Sequence, residues 1–268
     1  MAYLTKVDKK RFGQWALVTG ASSGIGKEFA RQLAASGFDL VLVARRVNLL
    51  EQLGQELQKK YGIQYCAIGL DLTDANFIET LENATRHLDI GLVVSGAGTP
   101  VPGEFLDIER DVLLKGVQLK IVAHMTIAHH FGKRLVERGG GGLLLISSTG
   151  GLQGIPYVAN NAAMEAYVLS LGEALHIELK SSNVTVTTLL PGPTDTPAMQ
   201  SMGLTPDDLP MKPMSPQQCV AEGLAALNAN RATHIAGRMN RLMAGILPRS
   251  LSTQLNGIII GKTFAGKH

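Results

Sequence analysis

The sequence predicts an α/β fold in which helices flank one doubly wound parallel sheet of about seven strands. Three observations support this prediction. The chain has 268 residues, of which 45% are hydrophobic and 18% are charged, so it can bury a substantial core. Its apolar runs are short and continuous, as expected for strands covered on both faces. Longer segments with a helical period separate these runs, and we find no linker, so residues 1–268 are predicted to form a single domain.

Seven runs are predicted to be strands because they are rich in β-branched and aliphatic residues. They are Trp15–Thr19, Leu40–Ala44, Tyr65–Leu70, Gly91–Val94, Leu143–Ser147, Val184–Leu190 and Thr233–Ala236. Predicted helices lie near residues 24–36, 47–60, 74–87, 107–137 and 159–181. Alternating strands and helices favour right-handed crossovers, and therefore a parallel sheet. The glycine run Gly139–Gly142 is expected to end the long helix before the strand at Leu143.

Charge and cysteine content argue against several classes of protein. The formal net charge is +3, and the basic residues are scattered, so nucleic-acid binding is not predicted. Cys66 and Cys219 are too few for a disulfide scaffold or a metal cluster, and no metal is expected. The apolar stretches are too short to span a bilayer, and the N-terminal residues lack a signal core. The sequence therefore predicts a cytoplasmic protein without a membrane partner.

A glycine-rich turn after the first predicted strand indicates a dinucleotide site. Gly20 would let the chain turn sharply, while Gly24 and Gly26 would let a pyrophosphate approach backbone N–H groups at a helix N-terminus. A strand before the turn and a helix after it form the context that this motif requires. The residues of the turn assigned to cofactor binding are Gly20, Ser22, Ser23, Gly24, Ile25 and Gly26.

The end of the second predicted strand indicates which dinucleotide binds. Arg45 and Arg46 stand about twenty residues after the last glycine, where the adenosine ribose is expected. A carboxylate there would favour the free 2′-hydroxyl of NAD, whereas arginine pairs with the 2′-phosphate of NADP. The predicted cofactor is therefore NADP(H). Asp71 and Leu72 are expected at the adenine, and the alternative role for Asp71 is a helix N-cap, for which Asp74 is better placed.

Together these motifs resemble the short-chain dehydrogenase/reductase family. The runs TGASSGIG at 19–26, LVARR at 42–46, DLTD at 71–74 and PGPTDT at 191–196 follow the family's order over nearly the whole chain. The resemblance implies a Rossmann-type fold and an oxidoreductase that uses NADP(H) on an alcohol or carbonyl substrate. It also implies further cofactor contacts at Ala97, Gly98, Pro191, Gly192, Thr194 and Thr196. The pattern is most similar to bacterial DltE-type dehydrogenases.

The catalytic positions that the resemblance implies carry unusual residues. The family uses a serine, a tyrosine thirteen residues later, a lysine four residues beyond it, and an asparagine on the preceding long helix. Ser148 fits the serine position, but Asn161, Glu165 and Lys120 occupy the other three. Asparagine has no titrating proton, so Asn161 cannot act as a general acid. The charges of Glu165 and Lys120 are exchanged relative to the family, which predicts an ion pair between them.

Two other side chains are candidates for the missing acid. Tyr157 stands one helical turn before Asn161 and would share its face, although an aromatic substrate contact is the more ordinary role at this position. His124 stands one turn after Lys120 and is expected either to face the site or to pack within the helix. Glu165 is also placed to accept hydrogen bonds from cofactor ribose hydroxyls.

Three functions remain open at this point. The first is a conventional dehydrogenase/reductase that uses Ser148 with a substitute acid such as Tyr157, Lys120 or water. The second is an isomerase, lyase or cyclase on the same scaffold, with Glu165 and Lys120 as acid and base. The third is a non-catalytic NADP-binding sensor or subunit. Similarity of fold does not choose among them, because function depends on the site.

Three segments bear on ligands and partners. Residues 194–214 are predicted to form a lid over an apolar small-molecule substrate, because they are rich in Pro, Met and small residues. The predicted helices at 107–137 and 159–181 carry surplus apolar residues, which together with the resemblance predicts a homodimer or homotetramer. These residues are Val122, Met125, Ile127, Ala128, Ala166, Val168, Leu169 and Leu171. Gly257–Ile260 could form an exposed apolar patch, and it is expected to be buried or to form a subunit contact rather than a membrane anchor.

Overall fold

Seven strands form one parallel sheet in the order β3-β2-β1-β4-β5-β6-β7 in the computed structural model, which describes residues 4–203, 212–246 and 248–264. The strands are β1 (Trp15–Thr19), β2 (Asp39–Ala44), β3 (Tyr65–Gly69), β4 (Ile90–Ser95), β5 (Gly141–Ile146), β6 (Val184–Leu190) and β7 (Thr233–Ile235). The strand order reverses between β1 and β4, which is the switch point of a doubly wound fold. The predicted fold class is confirmed, and every strand bound lies within two residues of its prediction.

Helices cover both faces of this sheet. They are α1 (Lys9–Phe12), α2 (Gly24–Ala35), α3 (Val47–Tyr61), α4 (Phe77–Thr85), α5 (Arg110–Val117), α6 (Ala123–Glu137), α7 (Ala159–Glu178), α8 (Pro197–Ser201), α9 (Pro216–Asn228), α10 (Arg238–Ile246) and α11 (Arg249–Phe264). The single helix predicted over 107–137 is instead two helices, because a π-helical turn at Gln118–Val122 separates α5 from α6. Among the described residues, none of the helices is long and apolar enough to cross a bilayer.

The sheet separates two hydrophobic cores. Helices α2, α3 and α9 bury one face, and α4, α6 and α7 bury the other. Successive residues of β1 alternate between them: Ala16 and Val18 belong to the first core, and Leu17 belongs to the second. Because each strand has to be apolar on both sides, its sequence reads as a continuous hydrophobic run.

The role expected for the glycine run at 139–142 is only partly right, because β5 begins at Gly141. Gly139 follows α6 with a φ of 87°, as a turn requires. A Cβ on Gly141 would lie 2.5 Å from the side chain of Leu135, and one on Gly142 would lie 2.8 Å from the ring of Phe12. The last two glycines therefore allow close packing within the strand.

The apolar surplus expected on the two long helices is smaller than predicted. Ile127, Ala128 and Val168 are buried in the core on the α6 and α7 face of the sheet. Met125 is exposed, so it remains available to a partner. The chain's own sheet therefore absorbs part of the apolar surface that was assigned to subunit contacts.

The segment predicted to be a lid contains more regular structure than expected. Thr196 caps α8 by accepting a hydrogen bond from the Met199 N–H, and Met199 is buried. An isolated parallel bridge joins Thr194 to Met214 and closes the base of the segment. Leu204, Leu209 and Met211 lie outside the described residues, so the lid itself stays a prediction.

Candidate functional site

A cleft of about 270 Å³ opens at the carboxyl ends of the strands, beside the switch point between β1 and β4. We call it the switch-point cleft. Its walls come from the turns after β1 to β4, from the end of β5 and from the first residues of α8. Many of the predicted cofactor residues line it, namely Gly20, Ser22, Ser23, Gly24, Ile25, Gly26, Arg45, Arg46, Asp71, Leu72, Ala97, Gly98 and Thr196.

The glycine turn provides a close-fitting cradle at the start of α2. Gly20 and Gly24 have φ values of 71° and 53°, in the left-handed region that favours glycine. A Cβ on Gly26 would lie 2.4 Å from the Gly20 carbonyl oxygen, so no side chain fits there. The Ser23 side chain does not cap α2, and the first N–H groups of the helix are left for another acceptor. This geometry fits the pyrophosphate of a dinucleotide.

The far end of the cleft, next to the carboxyl ends of β2 and β3, carries several charged side chains. Arg46 donates a hydrogen bond to the Ser22 hydroxyl at 3.0 Å, and Arg45 is exposed. Burial raises the pKa of the Asp71 carboxyl, but hydrogen bonds from Thr73 and the charges of Arg45 and Lys115 outweigh it and lower the pKa below its ordinary value. Asp71 is therefore an ionised acceptor that faces cations.

The alternative capping role of Asp71 and Asp74 is wrong. The N-cap position of α4 is Asn76, and its side chain makes no capping hydrogen bond. The Asp71 carboxylate instead accepts from the Thr73 N–H at 3.0 Å and from the Thr73 hydroxyl at 2.8 Å, which closes a tight turn after β3.

Three predicted cofactor residues, Pro191, Gly192 and Thr194, lie beyond the lining of the cleft, in the loop after β6. The Pro191 carbonyl accepts from the Thr149 N–H at 2.9 Å and from the Ser148 hydroxyl at 3.4 Å. Thr194 donates its hydroxyl to the Gly192 carbonyl at 2.9 Å. A Cβ on Gly192 would lie 2.2 Å from the amide nitrogen of Asn240, so α10 covers this part of the loop closely.

Lys120 and Glu165 form the predicted ion pair, which is confirmed. The Lys120 Nζ atom lies 3.1 Å from Glu165 Oε2 and donates a hydrogen bond to the Ile146 carbonyl at 2.8 Å. The two side chains are only 8% and 17% exposed. Lys120 comes from the π-helical turn and Glu165 from the second turn of α7, so the pair links neighbouring helices at the end of β5.

The electrostatics of this pair differ from those of a surface salt bridge. Burial raises the pKa of the Glu165 carboxyl, and the adjacent Lys120 ammonium group opposes that rise without cancelling it. The Ser147 hydroxyl donates to the Glu165 backbone carbonyl at 2.8 Å, and a Cβ on Gly151 would meet the same peptide unit at 2.8 Å. Tight backbone packing therefore fixes the position of Glu165 against the end of β5.

Asn161 and Ser148 both take part in local hydrogen bonds. The Asn161 Oδ1 atom accepts from the Val101 N–H at 3.0 Å, so its amide group anchors the loop after β4. The Ser148 hydroxyl accepts from the Gly150 N–H at 3.1 Å and begins the short 3-10 turn that precedes α7. Either side chain can offer a polar atom to a ligand, but the amide of Asn161 has no proton to transfer.

The expectation that Tyr157 shares a helix face with Asn161 is wrong, because α7 begins only at Ala159. Tyr157 precedes the helix with a φ of 64°, which is uncommon for a residue with a side chain. A Cβ on Gly261 would lie 3.1 Å from its ring and 3.3 Å from its hydroxyl oxygen. Tyr157 therefore lies against α11.

His124 packs inside the protein. It is fully buried, and burial, assisted by the charge of Lys120, holds the pKa of its imidazole well below the ordinary value. The ring is therefore neutral at physiological pH. Of its two expected roles, packing within α6 is the one that the structure bears out.

Sequence reasoning missed several residues that line the switch-point cleft. They are Thr73, Thr99, Lys115, Leu119 and Pro197. Lys115 and Leu119 stand four residues apart and therefore share one helix face, but that face is out of phase with Lys120, which the sequence analysis singled out. Thr73 and Thr99 lie in loops, where no periodic signal exists.

The sequence is similar to those of several dehydrogenases and reductases. A 7beta-hydroxysteroid dehydrogenase of Clostridium sardiniense is 29% identical over 233 residues, which cover 87% of this chain and 89% of the relative. A very-long-chain 3-oxoacyl-CoA reductase of Neurospora crassa is 35% identical over 188 residues, which cover 68% of this chain and 56% of the relative.

Solved structures with the same fold lead to the same family. One from a study of 7beta-hydroxysteroid dehydrogenase stereoselectivity has a TM-score of 0.85 and 25% identity, and the match covers 94% of this chain and 99% of that one. A short-chain dehydrogenase from Sphingobium yanoikuyae in complex with NADPH has a TM-score of 0.79 and 26% identity, with 96% of each chain covered. Residues 14–207 match the short chain dehydrogenase family, and the chain belongs to that family of oxidoreductases.

Proposed function

We propose that this protein binds NADP(H) and an apolar alcohol or carbonyl compound, and that conventional carbonyl reduction is absent or very slow. The observation that carries the proposal is the Lys120–Glu165 ion pair, with its 3.1 Å separation, at two of the positions where the family resemblance expects catalytic residues. Asn161 stands at a third position, without a transferable proton. We further propose that the chain is a DltE-type member of the family whose catalytic tetrad is altered.

The physical argument is that the charge on Lys120 is already engaged. Its ammonium group contacts the Glu165 carboxylate and the Ile146 carbonyl, so it has little tendency to lower the pKa of a neighbouring acid. Ser148 can still orient a substrate oxygen by hydrogen bonding. Removal of a general acid alone costs about 10²–10⁴ in rate. The remaining groups therefore support ligand binding more strongly than proton transfer.

The preference for NADP(H) over NAD(H) is supported by the cations at the far end of the switch-point cleft. Arg45 and Arg46 follow β2, and Lys115 faces the same end from α5. A guanidinium group forms paired, charge-assisted hydrogen bonds with a phosphate. The cofactor supplies or accepts a hydride when it is bound, while the chain's own residues hold and orient it. The NADPH complex of the Sphingobium relative agrees with this preference.

For the ligand we propose a bulky apolar alcohol or ketone of the hydroxysteroid type. Similarity to the 7beta-hydroxysteroid dehydrogenase of Clostridium sardiniense supports this class. Residues 194–214 are rich in methionine, which adapts to irregular apolar shapes. A lid formed by these residues would supply an apolar wall for such a ligand.

One observation favours a second candidate, an acid–base enzyme without net redox chemistry. The pKa of the Glu165 carboxyl is raised by burial, with Lys120 beside it, and perturbed pairs of this kind are common at catalytic centres. Such an enzyme would exchange a proton next to a carbonyl without consuming NADPH. A non-catalytic sensor or subunit would bind both ligands and do neither.

The test incubates the protein with NADPH carrying deuterium at the transferable position and with a panel of ketones that includes oxosteroids. We expect NADPH binding in calorimetry and no deuterium in the recovered alcohols. Hydride transfer at the rates usual for the family would contradict the proposal. A parallel incubation in deuterated water separates the alternatives, because substrate exchange without NADPH oxidation identifies an acid–base enzyme, and no exchange identifies a binding protein.

We also infer that the protein forms a homodimer or homotetramer through the segments 107–137 and 159–181, which contain α5, α6 and α7. The exposed side chain of Met125 supports this assembly, as do the part-buried Leu169 and Leu171. Sedimentation equilibrium at micromolar concentration tests it, and a monomer would remove the inference.

A further inference from the structure

The last helix, α11, exposes an apolar stripe and packs its more polar face on the protein, which is the reverse of an ordinary surface helix. Its packed face carries mostly small and polar residues, namely Ser252, Thr253, Asn256, Gly257 and Gly261, together with the half-buried Ile260. A Cβ on Gly257 would lie 3.1 Å from the ring of Pro156, so this face lies directly on the protein body. The outward stripe is instead Leu251, Leu255 and Ile258. Ile258 is therefore not buried, although surface helices normally turn such residues inward. The other expectation for Gly257–Ile260, a subunit contact, stays a prediction.

The preceding helix, α10, shows the same arrangement. Met239, Leu242 and Met243 are exposed and lie at the spacing of one helix face. The polar Asn240 points the other way and donates to the Ala236 carbonyl at 2.7 Å. Together the two stripes place six large apolar side chains, each between 39% and 59% exposed, within twenty residues. Soluble surfaces rarely concentrate apolar area in this way without a partner.

The charge of this region is entirely positive. Residues 238–268 contain five Lys or Arg residues and no Asp or Glu. One of the five, Arg241, is paired with Glu222 of α9 and adds no free charge. Arg238 and Arg249 are exposed at the starts of α10 and α11. Opposite charge is therefore what this surface would meet favourably.

The two helices also form an ordered surface. Arg241 donates to Glu222 at 2.8 Å and to the Ile235 carbonyl at 2.8 Å, which ties α10 to α9 and β7. Asn240 lies against Gly192, and Gly261 lies against Tyr157. Since this surface is held in place before any partner arrives, binding pays little for ordering it.

We propose that the apolar and basic face of α10 and α11 binds peripherally to an anionic lipid bilayer. The leucines, isoleucine and methionines would enter the boundary between headgroups and acyl chains, while the arginines reach the anionic headgroups. A second copy of this chain is a poorer occupant, because a twofold contact through this face would bring basic residues together without any carboxylate in the segment to pair with them. This proposal departs from the sequence analysis, which predicted no membrane partner.

Co-sedimentation of the full chain with lipid vesicles tests the proposal. We expect the protein to pellet with vesicles of phosphatidylcholine mixed with phosphatidylglycerol, and to remain in the supernatant with phosphatidylcholine alone. High salt should release part of the bound protein, because it screens the arginine contacts. A protein that stays in the supernatant with anionic vesicles overturns the proposal.

Variants distinguish vesicle binding through this face from nonspecific adsorption. The triple change Leu251→Ser, Leu255→Ser and Ile258→Ser should weaken vesicle binding at least about tenfold, since three inserted apolar side chains are lost. Ile177→Ser is the matched control, because Ile177 is an exposed apolar residue on α7, and it should leave binding unchanged. Circular dichroism melts check that each variant is folded.

A charge variant covers the case in which the triple serine variant fails to fold. Arg238→Gln with Arg249→Gln should reduce binding to anionic vesicles, whereas Lys133→Gln, exposed on α6, should not. Vesicle binding that survives both sets of changes overturns the proposal. A lower oligomeric state of the triple variant, with vesicle binding unchanged, would identify the face as a subunit contact and would also overturn it.

Discussion

The switch-point cleft and the Lys120–Glu165 pair at the end of β5 are built in different ways. At the switch-point cleft, backbone geometry provides the fit: Gly20 and Gly24 take left-handed φ values, and Gly26 leaves no room for a side chain. At the end of β5, side chains fill the space, and Lys120 and Glu165 neutralise each other below the surface. Backbone cradles tolerate few residue types, whereas a side-chain constellation can be exchanged while the fold is kept. Binding and chemistry can therefore change separately in one scaffold.

The charges at the two ends also differ in what they can reach. Arg45 and Lys115 stand at an open end, beside an ionised Asp71, and can act on an incoming anion. The charge on Lys120 is cancelled within 3.1 Å by a single carboxylate. The first arrangement suits the capture of a charged ligand, and the second suits a fixed internal contact.

The largest expected effect comes from rebuilding the tetrad positions. The triple variant Lys120→Asn, Asn161→Tyr and Glu165→Lys should raise NADPH-dependent reduction of an accepted ketone by about 10²–10⁴, because it restores a general acid beside an ammonium group. Initial rates of NADPH oxidation give the measurement. The same variant with Ser148→Ala is the control and should lose most of the gain. An inactive triple variant that still binds NADPH would show that the switch-point cleft and the tetrad positions do not change independently.

The next effect concerns the stability of the buried pair. Lys120→Met and Glu165→Gln should each lower the free energy of unfolding by about 3–5 kcal/mol, because each leaves a polar partner buried without its counter-charge. The double variant should cost much less than the two changes added together. Urea titrations of the wild type, the two single variants and the double variant complete this double-mutant cycle. Strictly additive losses of stability would argue against an interaction between Lys120 and Glu165.

The pH dependence of the Lys120→Met variant sharpens that test. Without the lysine, burial acts on Glu165 against only the weaker opposing effect of Ser147, so the folded pKa of the carboxyl lies still further above its value in the unfolded chain. A raised carboxyl pKa contributes stability below the unfolded pKa and loses it as pH rises through the folded pKa. The difference in the free energy of unfolding between wild type and Lys120→Met should therefore be larger at alkaline than at acidic pH. Glu165→Gln should show no such trend.

A smaller effect is expected at Glu222, which supports α10 and so the part of the loop near Gly192. Burial raises its pKa, but hydrogen bonds from the Gly237 N–H, Gln218, Arg241 and His234 outweigh burial and lower it to about 2. Because the folded pKa is depressed, the stabilisation is present above the unfolded value and is lost as pH falls towards 2.

Glu222→Gln should therefore cost about 2–3 kcal/mol at pH 7 and flatten the acid limb of a stability-versus-pH curve. Thermal melts across that range measure both quantities. Gln218→Ala removes only one donor to Glu222 and serves as a milder companion variant. An acid limb identical to that of wild type would contradict the assignment of Glu222.

The smallest expected effect concerns cofactor choice at the open end. Arg45→Ala should reduce the preference for NADP over NAD by about 10-fold to 100-fold, as expected for loss of a charge-assisted hydrogen bond to phosphate. Calorimetry with both cofactors gives the ratio. Lys59→Ala removes an exposed charge from α3 and should leave the ratio unchanged. Equal affinities in the wild type would defeat the prediction at once.

The features predicted correctly were those that short sequence patterns encode. Continuous apolar runs identified the strands, because a strand covered on both faces has no polar positions. The exchanged charges predicted the ion pair, because a buried lysine and a buried glutamate on neighbouring helices need each other. Lys115, by contrast, lines the cleft because α5 packs against α7, and this long-range contact has no local sequence signal. Tyr157 was misplaced because the helical spacing from Asn161 was extended back past the predicted start of the helix near residue 159, where α7 does begin.

Long-range packing explains the glycines that were misread. Gly142 is required by the ring of Phe12, a residue from the start of the chain, and no local rule connects them. The outward apolar stripe of α11 was missed for a similar reason. A helical period indicates that an apolar face exists but not which way it points.

The π-helical turn at Gln118–Val122 bears on how this family member can have diverged. A π-turn holds more residues than an α-turn, so it absorbs a shift of phase between the helices on either side. Ile127 and Phe131 are buried on one side of the turn, and Lys115 lines the cleft on the other side. Lys120 lies at the centre of the turn, but its ammonium group is buried against Glu165 of α7. A lineage that changes position 120 therefore keeps its stability only if position 165 changes with it, so we expect the two positions to vary together among relatives.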